Sequence, residues 1–256
     1  MKAVLLAGGW GMRLREQTII KPKPMVEIGH RPLLWHIMKL ISHYGISEFI
    51  ICVGYKGHLI KDFFANYHLY EAVVTFDMSD NSKTIHSQTA EPWKVTLVDT
   101  GLTTLTGGRL KKIKEFVGND TFLMTYGDGV GDVDLNQLRN FHATHGRRAT
   151  VTATRPPARF GALGIEEGRV TQMDEKPRGD GNWINGGFFL LEPEVLDLVD
   201  NDQTAWEIEP MQRLIAEEQL MAYQHDGFWQ PMDTVRDMEY LEEVWQSGKA
   251  PWKVWD

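Results

Sequence analysis

A glycine-rich loop near the N-terminus has the residue types of a phosphate-binding site. Gly8, Gly9 and Gly11 follow a short apolar run, and Arg13 comes shortly after them. Glycine tolerates positive φ and lets backbone N–H groups approach an anion, while a guanidinium matches phosphate oxygens. Two common phosphate loops are excluded, since Leu14 stands where the dinucleotide fingerprint needs a third glycine and no Gly-Lys-Ser/Thr follows. Taken alone, the loop is equally compatible with an ordinary strand-to-helix turn.

Two lysines lie in a stiff segment that begins eight residues after Arg13. Pro22 and Pro24 restrict the backbone around Lys21 and Lys23, so both ammonium groups project from an extended stretch of chain. Lysines held in this way could clamp a phosphate group, whereas the alternative is a solvated surface segment. The loop and the lysines together favour a phosphorylated ligand more strongly than either does alone.

An aspartate between two glycines is a candidate metal ligand. Asp128 follows an apolar run typical of a buried strand, and Gly127 and Gly129 leave its carboxylate open. Mg²⁺ binds one or two carboxylates together with phosphate oxygens and water. An EF-hand is excluded because Val130 occupies the third loop position, and an ordinary turn aspartate is the alternative.

Composition narrows the classes of function. The formal net charge of −8 disfavours a general nucleic-acid binder, because affinity for nucleic acid rests largely on Lys and Arg. No apolar run approaches the roughly 18 residues of a membrane span, so no membrane partner is expected. The apolar run at 3–7 is too short for a secretory signal, and Cys52 lies in another apolar run. We therefore expect a buried, reduced thiol and a cytoplasmic location.

Strands and helices alternate along the chain. The predicted strands are 2–6, 48–53, 73–76, 95–99, 121–126, 150–154, 162–166, 169–173, 187–191 and 221–225. The predicted helices are 33–44, 58–65, 109–117, 135–145, 194–199, 207–218 and 235–245, and the polar stretch 79–91 is predicted as a loop or an exposed hairpin. The alternation predicts an α/β, Rossmann-like fold with a mostly parallel mixed sheet, helices on both faces and ligands at the carboxyl ends of the strands. No linker or repeat interrupts the pattern, so 1–256 is predicted to be a single domain.

Two further groups of residues have ambiguous roles. His142 and His145 share one predicted helix face, but no third ligand is near in sequence, and surface histidines are the preferred interpretation. Trp252 and Trp255 lie at the end of the chain. Tryptophan there is either part of the core or could cover a neighbouring subunit.

The start of the chain is similar to the signature of a known family. Residues 6–14 read Leu-Ala-Gly-Gly-Trp-Gly-Met-Arg-Leu and residues 21–25 read Lys-Pro-Lys-Pro-Met, which resembles the opening of the sugar-phosphate nucleotidyltransferases. Similar segments cover essentially the whole chain, at 99–101, 106–110, 126–129, 160–163, 175–177, 185–188 and 228–234. The segments 106–109 and 228–234 resemble the branch of that family that uses CTP and glucose 1-phosphate.

The resemblance implies a reaction, a cofactor and partners. An oxygen of glucose 1-phosphate attacks the α-phosphorus of CTP, and CDP-glucose and pyrophosphate are formed with Mg²⁺ as cofactor. Because negative charge is spread over the reacting groups, such catalysis depends mainly on positioning and electrostatic stabilisation. The resemblance further implies the nucleotide-diphospho-sugar transferase fold, a homo-oligomer such as a hexamer, and a role in polysaccharide biosynthesis.

The resemblance also assigns roles to individual residues. The expected catalytic residues are Arg13, Lys23, Asp128 and Lys176, and the expected metal ligands are Asp128 and Asp233. The expected nucleotide contacts are Leu6, Ala7, Gly8, Gly9, Gly11, Met12, Arg13, Lys23, Thr104, Arg109 and Gly127. The expected sugar-phosphate contacts are Lys176, Asn185 and Gly186, where the glycine leaves room for the sugar ring.

Alternatives remain for several of these residues and for the function. Asp233 could be a helix N-cap, Arg109 a solvated residue in the first turn of a helix, Asn185 a turn residue and Lys176 a surface lysine. Met12 stands where the family signature has threonine, so we expect a weakened nucleotide contact. The rival functions are a uridylyl- or thymidylyltransferase of the same family and a non-catalytic sugar-nucleotide-binding module.

Overall fold

The computed structural model describes residues 1–11, 14, 18–70, 72–87, 91–156, 162–166, 169–174 and 183–255. The first half contains β1 (Ala3–Leu6), β2 (Glu27–Ile28), β3 (Arg31–Pro32), α1 (Leu33–His43), β4 (Glu48–Val53), α2 (Gly57–Tyr70), β5 (Val74–Asp77), β6 (Ser82–Ile85), β7 (Lys94–Asp99), α3 (Thr106–Lys112), α4 (Lys114–Val117) and β8 (Phe122–Tyr126). The second half contains β9 (Gly129–Gly131), α5 (Leu135–His145), β10 (Ala149–Thr154), β11 (Ala162–Glu166), β12 (Arg169–Asp174), β13 (Ile184–Leu191), α6 (Glu209–Ala216), β14 (Leu220–His225), β15 (Trp229–Pro231) and α7 (Val235–Gln246). Short 3₁₀ helices span Lys23–Met25 and Pro193–Leu198.

A seven-stranded sheet with the order β14-β10-β13-β8-β1-β4-β7 forms the centre of the fold. Only β13 runs antiparallel to its neighbours in this sheet, since β1, β4, β7 and β8 are mutually parallel and β10 is parallel to β14. The carboxyl ends of six strands and the start of β13 therefore lie along one edge. The predicted mostly parallel, mixed sheet is confirmed.

Both faces of the sheet are covered by helices. The side chains of β1 alternate between the two faces, with Ala3 and Leu5 in one hydrophobic core and Val4 and Leu6 in the other. Helices α1, α2, α5 and α7 contribute residues to the first core, while α3, α4 and α6 contribute to the second. All four residues of β1 are buried, as expected for a central strand of a parallel sheet.

Most predicted elements are present. The stretch 79–91, predicted as a loop or an exposed hairpin, contains β6, which pairs with the preceding strand β5 in an antiparallel hairpin. The predicted helix 109–117 differs, because the structure has two short helices and the first begins at Thr106. Gly107 and Gly108 lie inside α3, where a Cβ would come within 2.8 Å of the Thr204 carbonyl oxygen and 2.6 Å of Asp202 Cα. These glycines thus allow close packing of a helix.

The interpretation of His142 as a surface histidine is wrong. Its side chain is buried, and His142 Nδ1 lies 2.7 Å from Thr150 Oγ1, while His145 Nε2 lies 2.7 Å from the same oxygen. A hydroxyl of β10 therefore satisfies both rings from within the core. His142 and His145 therefore contribute to the packing of α5 against β10.

The C-terminal segment packs around a buried histidine of α1. His36 is fully buried, its Nε2 lies 2.8 Å from the Ile28 carbonyl oxygen, and Trp252 Nε1 lies 3.3 Å from its Nδ1. Trp245 packs edge-on against the ring at 4.5 Å between centroids. Trp252 is 1% exposed, so the suggestion that it covers a neighbouring subunit is wrong. Within the described residues, no helix has both the length and the apolar character needed to cross a membrane.

The hydrogen bonds of His36 define the tautomer of its neutral ring, and its burial sets its pKa. Nδ1 accepts from the indole N–H of Trp252, so the proton of the neutral ring lies on Nε2 and is donated to Ile28. Burial lowers the pKa of His36 from 6.5 to about 4, although the bond to Ile28 and the charge of Glu242 act in the opposite direction. The charge of Arg31 adds to the lowering.

We predict that His36 makes the folded state less stable as the pH falls from 6.5 towards about 4. In this range the unfolded chain binds a proton that the folded chain does not, so the free energy of unfolding decreases by roughly 2 kcal/mol between about pH 7.5 and about pH 5. Urea unfolding at both pH values measures the change. His36→Gln should flatten this part of the pH dependence, whereas His43→Gln, an exposed position on the same helix, should keep it. Equal pH dependence in the two variants would contradict the prediction.

Candidate active site

A pocket of about 380 Å³ opens at the carboxyl edge of the sheet, beside the ends of β1 and β8. Ten of the residues that the sequence assigns to ligand binding line it, namely Leu6, Ala7, Gly8, Gly9, Gly11, Lys23, Thr104, Arg109, Gly127 and Asp128. Trp10, Pro24, Leu102, Thr103, Leu105, Thr106 and Tyr126 complete the described lining. Segments that are far apart in sequence therefore meet in one cavity.

Lys23 lies between two carboxylates at this pocket. Its Nζ is 3.0 Å from Asp128 Oδ2 and 2.6 Å from Asp233 Oδ1. The Lys23 side chain is 9% exposed and that of Asp233 is 13% exposed, whereas the Asp128 side chain is 44% exposed. Two carboxylates so close to each other would repel, and the ammonium group between them offsets that repulsion.

Local structure brings the two carboxylates together. Asp128 follows β8, and β9 then pairs antiparallel with β15, so that the Met232 amide donates to the Asp128 carbonyl oxygen at 2.8 Å. Asp233 comes next in the chain. It is not the N-cap of α7, because Thr234 occupies that position and forms a capping box with Asp237. The N-cap alternative for Asp233 is therefore wrong.

Arg109 forms hydrogen bonds with the backbone of the glycine loop and with the segment that follows β7. Its Nη2 donates to the Gly8 carbonyl oxygen at 3.0 Å, and its Nη1 donates to Thr100 Oγ1 at 2.6 Å and to the Gly101 carbonyl oxygen at 2.9 Å. The side chain is 5% exposed, so the alternative of a solvated residue is wrong. Burial lowers the pKa of Arg109, and hydrogen bonds to neighbouring oxygens hold its guanidinium in place. Arg109 therefore fixes the backbone at Gly8 as well as lining the pocket.

Three positions of the site require glycine, two because of close packing and one because of its backbone conformation. A Cβ at Gly8 would lie 2.1 Å from Arg109 Nη1, and one at Gly127 would lie 3.1 Å from Pro24 Cγ. Gly11 has a φ of +62°, which other residues rarely adopt. At Gly9, by contrast, a Cβ would meet no described atom within 4 Å, because that position faces open space.

Of the predicted sugar-phosphate residues, Asn185 contacts Tyr126 of the pocket lining. Asn185 Oδ1 accepts from the Gly187 amide at 2.9 Å, and Asn185 Nδ2 donates to Tyr126 Oη at 3.4 Å. Gly186 does not leave room for a ligand as expected, since a Cβ there would lie 2.9 Å from Thr154 Cγ2. The space that this glycine provides is filled by β10.

Tyr126 and Glu207 were not among the sequence candidates. Tyr126 Oη donates to Glu207 Oε1 at 2.5 Å, and Thr106 Oγ1 donates to Glu207 Oε2 at 2.6 Å. The sequence could have suggested Tyr126, which directly precedes Gly127. It gives no signal for Glu207, because this residue approaches the site only through tertiary packing.

Lys21 and Trp10 each contact a residue outside the described pocket lining. Lys21 forms an ion pair with Glu27 at 2.7 Å and does not line the described pocket. Trp10 stacks on Tyr55 with 5.2 Å between ring centroids at the mouth of the pocket. The Tyr55 amide also donates to the Gly8 carbonyl oxygen at 3.2 Å, which ties the loop to the end of β4.

Several site predictions lie outside the described residues. These are Met12, Arg13, Lys176 and the segments 160–161 and 175–177. Within the part of the chain that the structure describes, no group of three or more His, Cys, Asp or Glu side chains could hold a metal ion. Asp128 and Asp233 are a two-carboxylate pair, which suits Mg²⁺ because this ion takes its other ligands from phosphate and water.

Comparison with known proteins assigns the family. The nucleotidyl transferase family model matches residues 2–242 of the chain. The chain belongs to the nucleotidyl transferase family. It is 60% identical to the glucose-1-phosphate cytidylyltransferase of Salmonella typhi over the full length of both chains. It is also 31% identical to the mannose-1-phosphate guanyltransferase of Saccharomyces cerevisiae, covering 94% of this chain and 63% of the yeast protein.

The fold agrees with this assignment. A solved structure of a UDP-glucose pyrophosphorylase complexed with UDP-glucose superposes with a TM-score of 0.69 at 16% identity, covering 96% of this chain and 98% of the other. At that identity the likeness concerns the fold alone. The predicted family and fold class are both confirmed, and the chain is an enzyme of the nucleotidyltransferase class.

We predict that Gly8→Ala destabilises the protein while Gly9→Ala does not. The Gly8 substitution forces Arg109 to move and disturbs its hydrogen bonds, at a cost of about 1–3 kcal/mol, which lowers the melting temperature by several degrees. Thermal unfolding without ligand measures both variants. Gly9→Ala places its methyl group in the open pocket, so it should weaken binding of CTP without changing the melting temperature. Equal melting temperatures for the two variants would argue against the Arg109 contact.

Proposed function

We propose that this chain transfers a cytidylyl group from CTP to glucose 1-phosphate and releases pyrophosphate, giving CDP-glucose. The observation that carries the proposal is the presence of Lys23 and Asp128 in the lining of the glycine-loop pocket, where Lys23 also forms an ion pair with Asp233. The identity of 60% to a glucose-1-phosphate cytidylyltransferase over the full length of both chains supports the choice of substrates.

In the proposed reaction the chain acts by binding and orienting two anions. The backbone of Gly8, Gly9 and Gly11 offers N–H groups to the triphosphate, and Arg109 keeps this backbone in place. Lys23 donates two of its three N–H bonds to Asp128 and Asp233, and the third is directed to a phosphate oxygen. We propose Arg13 as a further triphosphate ligand.

The acceptor sugar is proposed to lie beside Asn185, with its phosphate held by Lys176. The attacking oxygen already belongs to a phosphate, so no side chain has to become a nucleophile. Electrostatic stabilisation of the charge on the transferred phosphoryl group accounts for most of the acceleration in such reactions. Asn185 Nδ2 has a second N–H bond that remains available for a sugar hydroxyl.

Mg²⁺ is the proposed cofactor, held by Asp128 and Asp233. Both carboxylates already converge on one cationic atom, Lys23 Nζ, so their oxygens fit a position of positive charge. When bound, the ion would neutralise charge on the phosphate oxygens. We also propose that residues 1–256 act as one domain in the cytoplasm, because one sheet draws strands from both halves and Cys52 is a buried free thiol.

The proposal predicts a defined pattern of pyrophosphate release. Assays that combine CTP, UTP, dTTP or GTP with glucose, galactose or mannose 1-phosphate should show the highest kcat/KM for CTP with glucose 1-phosphate, and no turnover without Mg²⁺. Asp128→Asn should lower kcat by at least about a hundredfold because it removes a carboxylate from the metal site.

The controls distinguish the rival functions. Preference for UTP or dTTP would instead assign a uridylyl- or thymidylyltransferase, and binding of CDP-glucose without turnover would assign a binding module. Lys94→Gln changes an exposed ion pair with Glu48 on β4 and serves as the matched control, with activity close to that of the unmodified chain. Full activity of Asp128→Asn would remove this residue from the site.

We further propose that the chain forms a homo-oligomer, such as a hexamer, through the β5–β6 hairpin. An isolated two-stranded hairpin is marginally stable in water, and seven of the eight strand residues are exposed. Apolar side chains lie on and beside it, with Val73, Phe76, Met78 and Ile85 exposed by 64%, 55%, 81% and 40%. A second copy of the chain would cover these side chains and the open strand edges.

Replacing Phe76 and Met78 together by serine should weaken this association. We expect the dissociation constant of the oligomer to rise by at least about tenfold, because the substitutions remove large apolar contacts from the interface. Sedimentation velocity over a range of protein concentrations measures the change. Ile215→Ser, at a 61% exposed position on α6, is the control. A monomeric unmodified chain, or an unchanged oligomer of the double variant, would contradict the proposal.

A further inference from the structure

Tyr126, Glu207 and Thr106 form a hydrogen-bonded chain between the two halves of the proposed site. Tyr126 and Thr106 line the nucleotide pocket, while Tyr126 Oη also contacts Asn185 on the sugar side. Glu207 is solvent-exposed and receives one hydrogen bond at each carboxylate oxygen, at 2.5 Å from Tyr126 and 2.6 Å from Thr106. The proposed reaction assigns no role to Tyr126 or Glu207.

The direction of these hydrogen bonds follows from chemistry. A carboxylate accepts and cannot donate, so the hydrogen in the 2.5 Å contact belongs to the tyrosine. Burial and the neighbouring charge of Glu207 raise the pKa of Tyr126, which keeps the phenol protonated. The only proton of this hydroxyl is therefore directed away from the ligand and towards Glu207.

Glu207 is itself held in position. Thr106 Oγ1 accepts from the Trp206 amide at 2.9 Å, so the hydrogen of this hydroxyl must go to the carboxylate. The side chain of Trp206 is fully buried in the second core. The orientation of the Tyr126 hydroxyl is thus fixed through Glu207 by the core.

We propose that Tyr126 is a specificity-determining residue whose hydroxyl oxygen, oriented by Glu207 as a positioning residue, accepts a hydrogen bond from a hydroxyl group of the ligand in addition to the long one, 3.4 Å, from Asn185 Nδ2. A phenol that cannot donate selects for a donor, so Tyr126 accepts groups that carry a hydrogen and rejects groups that only accept. Its position between the nucleotide pocket and Asn185 leaves two sources for the donor, the hexose and the ribose. This inference rests on the proposed function, which supplies both sugars.

Binding of CDP-glucose tests the inference without turnover. Calorimetry would compare CDP-glucose with analogues in which one hydroxyl at a time, on the hexose or on the ribose, is replaced by fluorine, which cannot donate. We expect fluorine at one position to weaken binding to the unmodified chain by about tenfold, the effect of one hydrogen bond. The position identifies the sugar that Tyr126 contacts.

Two variants then isolate the roles of the residues. Tyr126→Phe should bind CDP-glucose and that fluorinated analogue equally, since the acceptor is absent. Glu207→Gln should also bring their affinity ratio towards one, because its amide can donate to the phenol and free the tyrosine proton. Tyr223→Phe removes a hydroxyl from β14, three strands from β8 in the sheet, and should keep the tenfold ratio.

The outcomes separate the inference from the proposed function. A tenfold ratio that persists in Tyr126→Phe would overturn the role of Tyr126. A ratio that persists in Glu207→Gln while its melting temperature falls would make Glu207 a structural residue only. If the unmodified chain binds CDP-glucose and produces it, but no fluorine substitution matters, the inference fails and the function stands. An unmodified chain that does not bind CDP-glucose would overturn both.

Discussion

Electrostatic repulsion between Asp128 and Asp233 is the constraint on which the site depends. The proposed metal site requires two carboxylates close together, and two negative charges placed in this way repel each other. Lys23, which approaches from a proline-stiffened 3₁₀ helix, resolves the conflict by placing one ammonium within 3.0 Å of both. This contact joins segments 105 and 210 residues apart in sequence. The same three groups thereby stabilise the free protein and form the proposed catalytic centre.

The glycine loop shows a similar link between stability and binding. A loop that offers backbone N–H groups to phosphates needs its carbonyl oxygens satisfied elsewhere. Arg109 and the Tyr55 amide meet this need at Gly8, since both donate hydrogen bonds to its carbonyl oxygen. The buried guanidinium also hydrogen-bonds to Val53 at the end of β4 and to Thr100 and Gly101 after β7, so a single side chain ties two strand ends to the loop.

Family membership and chemistry constrain the function at different levels. Relatives in the family are named for cytidylyl and guanylyl transfer, so the shared fold supports more than one nucleotide. The proposed role of the lysine and the two carboxylates concerns phosphate groups, which all such substrates share. Discrimination between sugars and bases must come from neutral polar groups around them, and Tyr126, with its hydroxyl oriented by Glu207, is proposed to be one of these groups. The proposed specificity of Tyr126 arises from a hydrogen-bond direction set by the carboxylate of Glu207, which is not part of the described pocket lining.

The sequence by itself determined the fold class and the family, and it supplied the candidate residues that are now proposed to bind phosphate and metal. Apolar alternation and glycine spacing act over a few residues, and Lys23 and Asp128 lie in short motifs that carry this information. It mistook His142 for a surface residue and Gly186 for an open position, and it gave no sign of Glu207. Those outcomes depend on which distant groups pack together: Thr150 against His142, Thr154 against Gly186, and Thr106 and Tyr126 against Glu207. Only the tertiary structure decides such contacts, because hydrogen-bond partners and close approaches are set by the packing of elements rather than by their order in the chain.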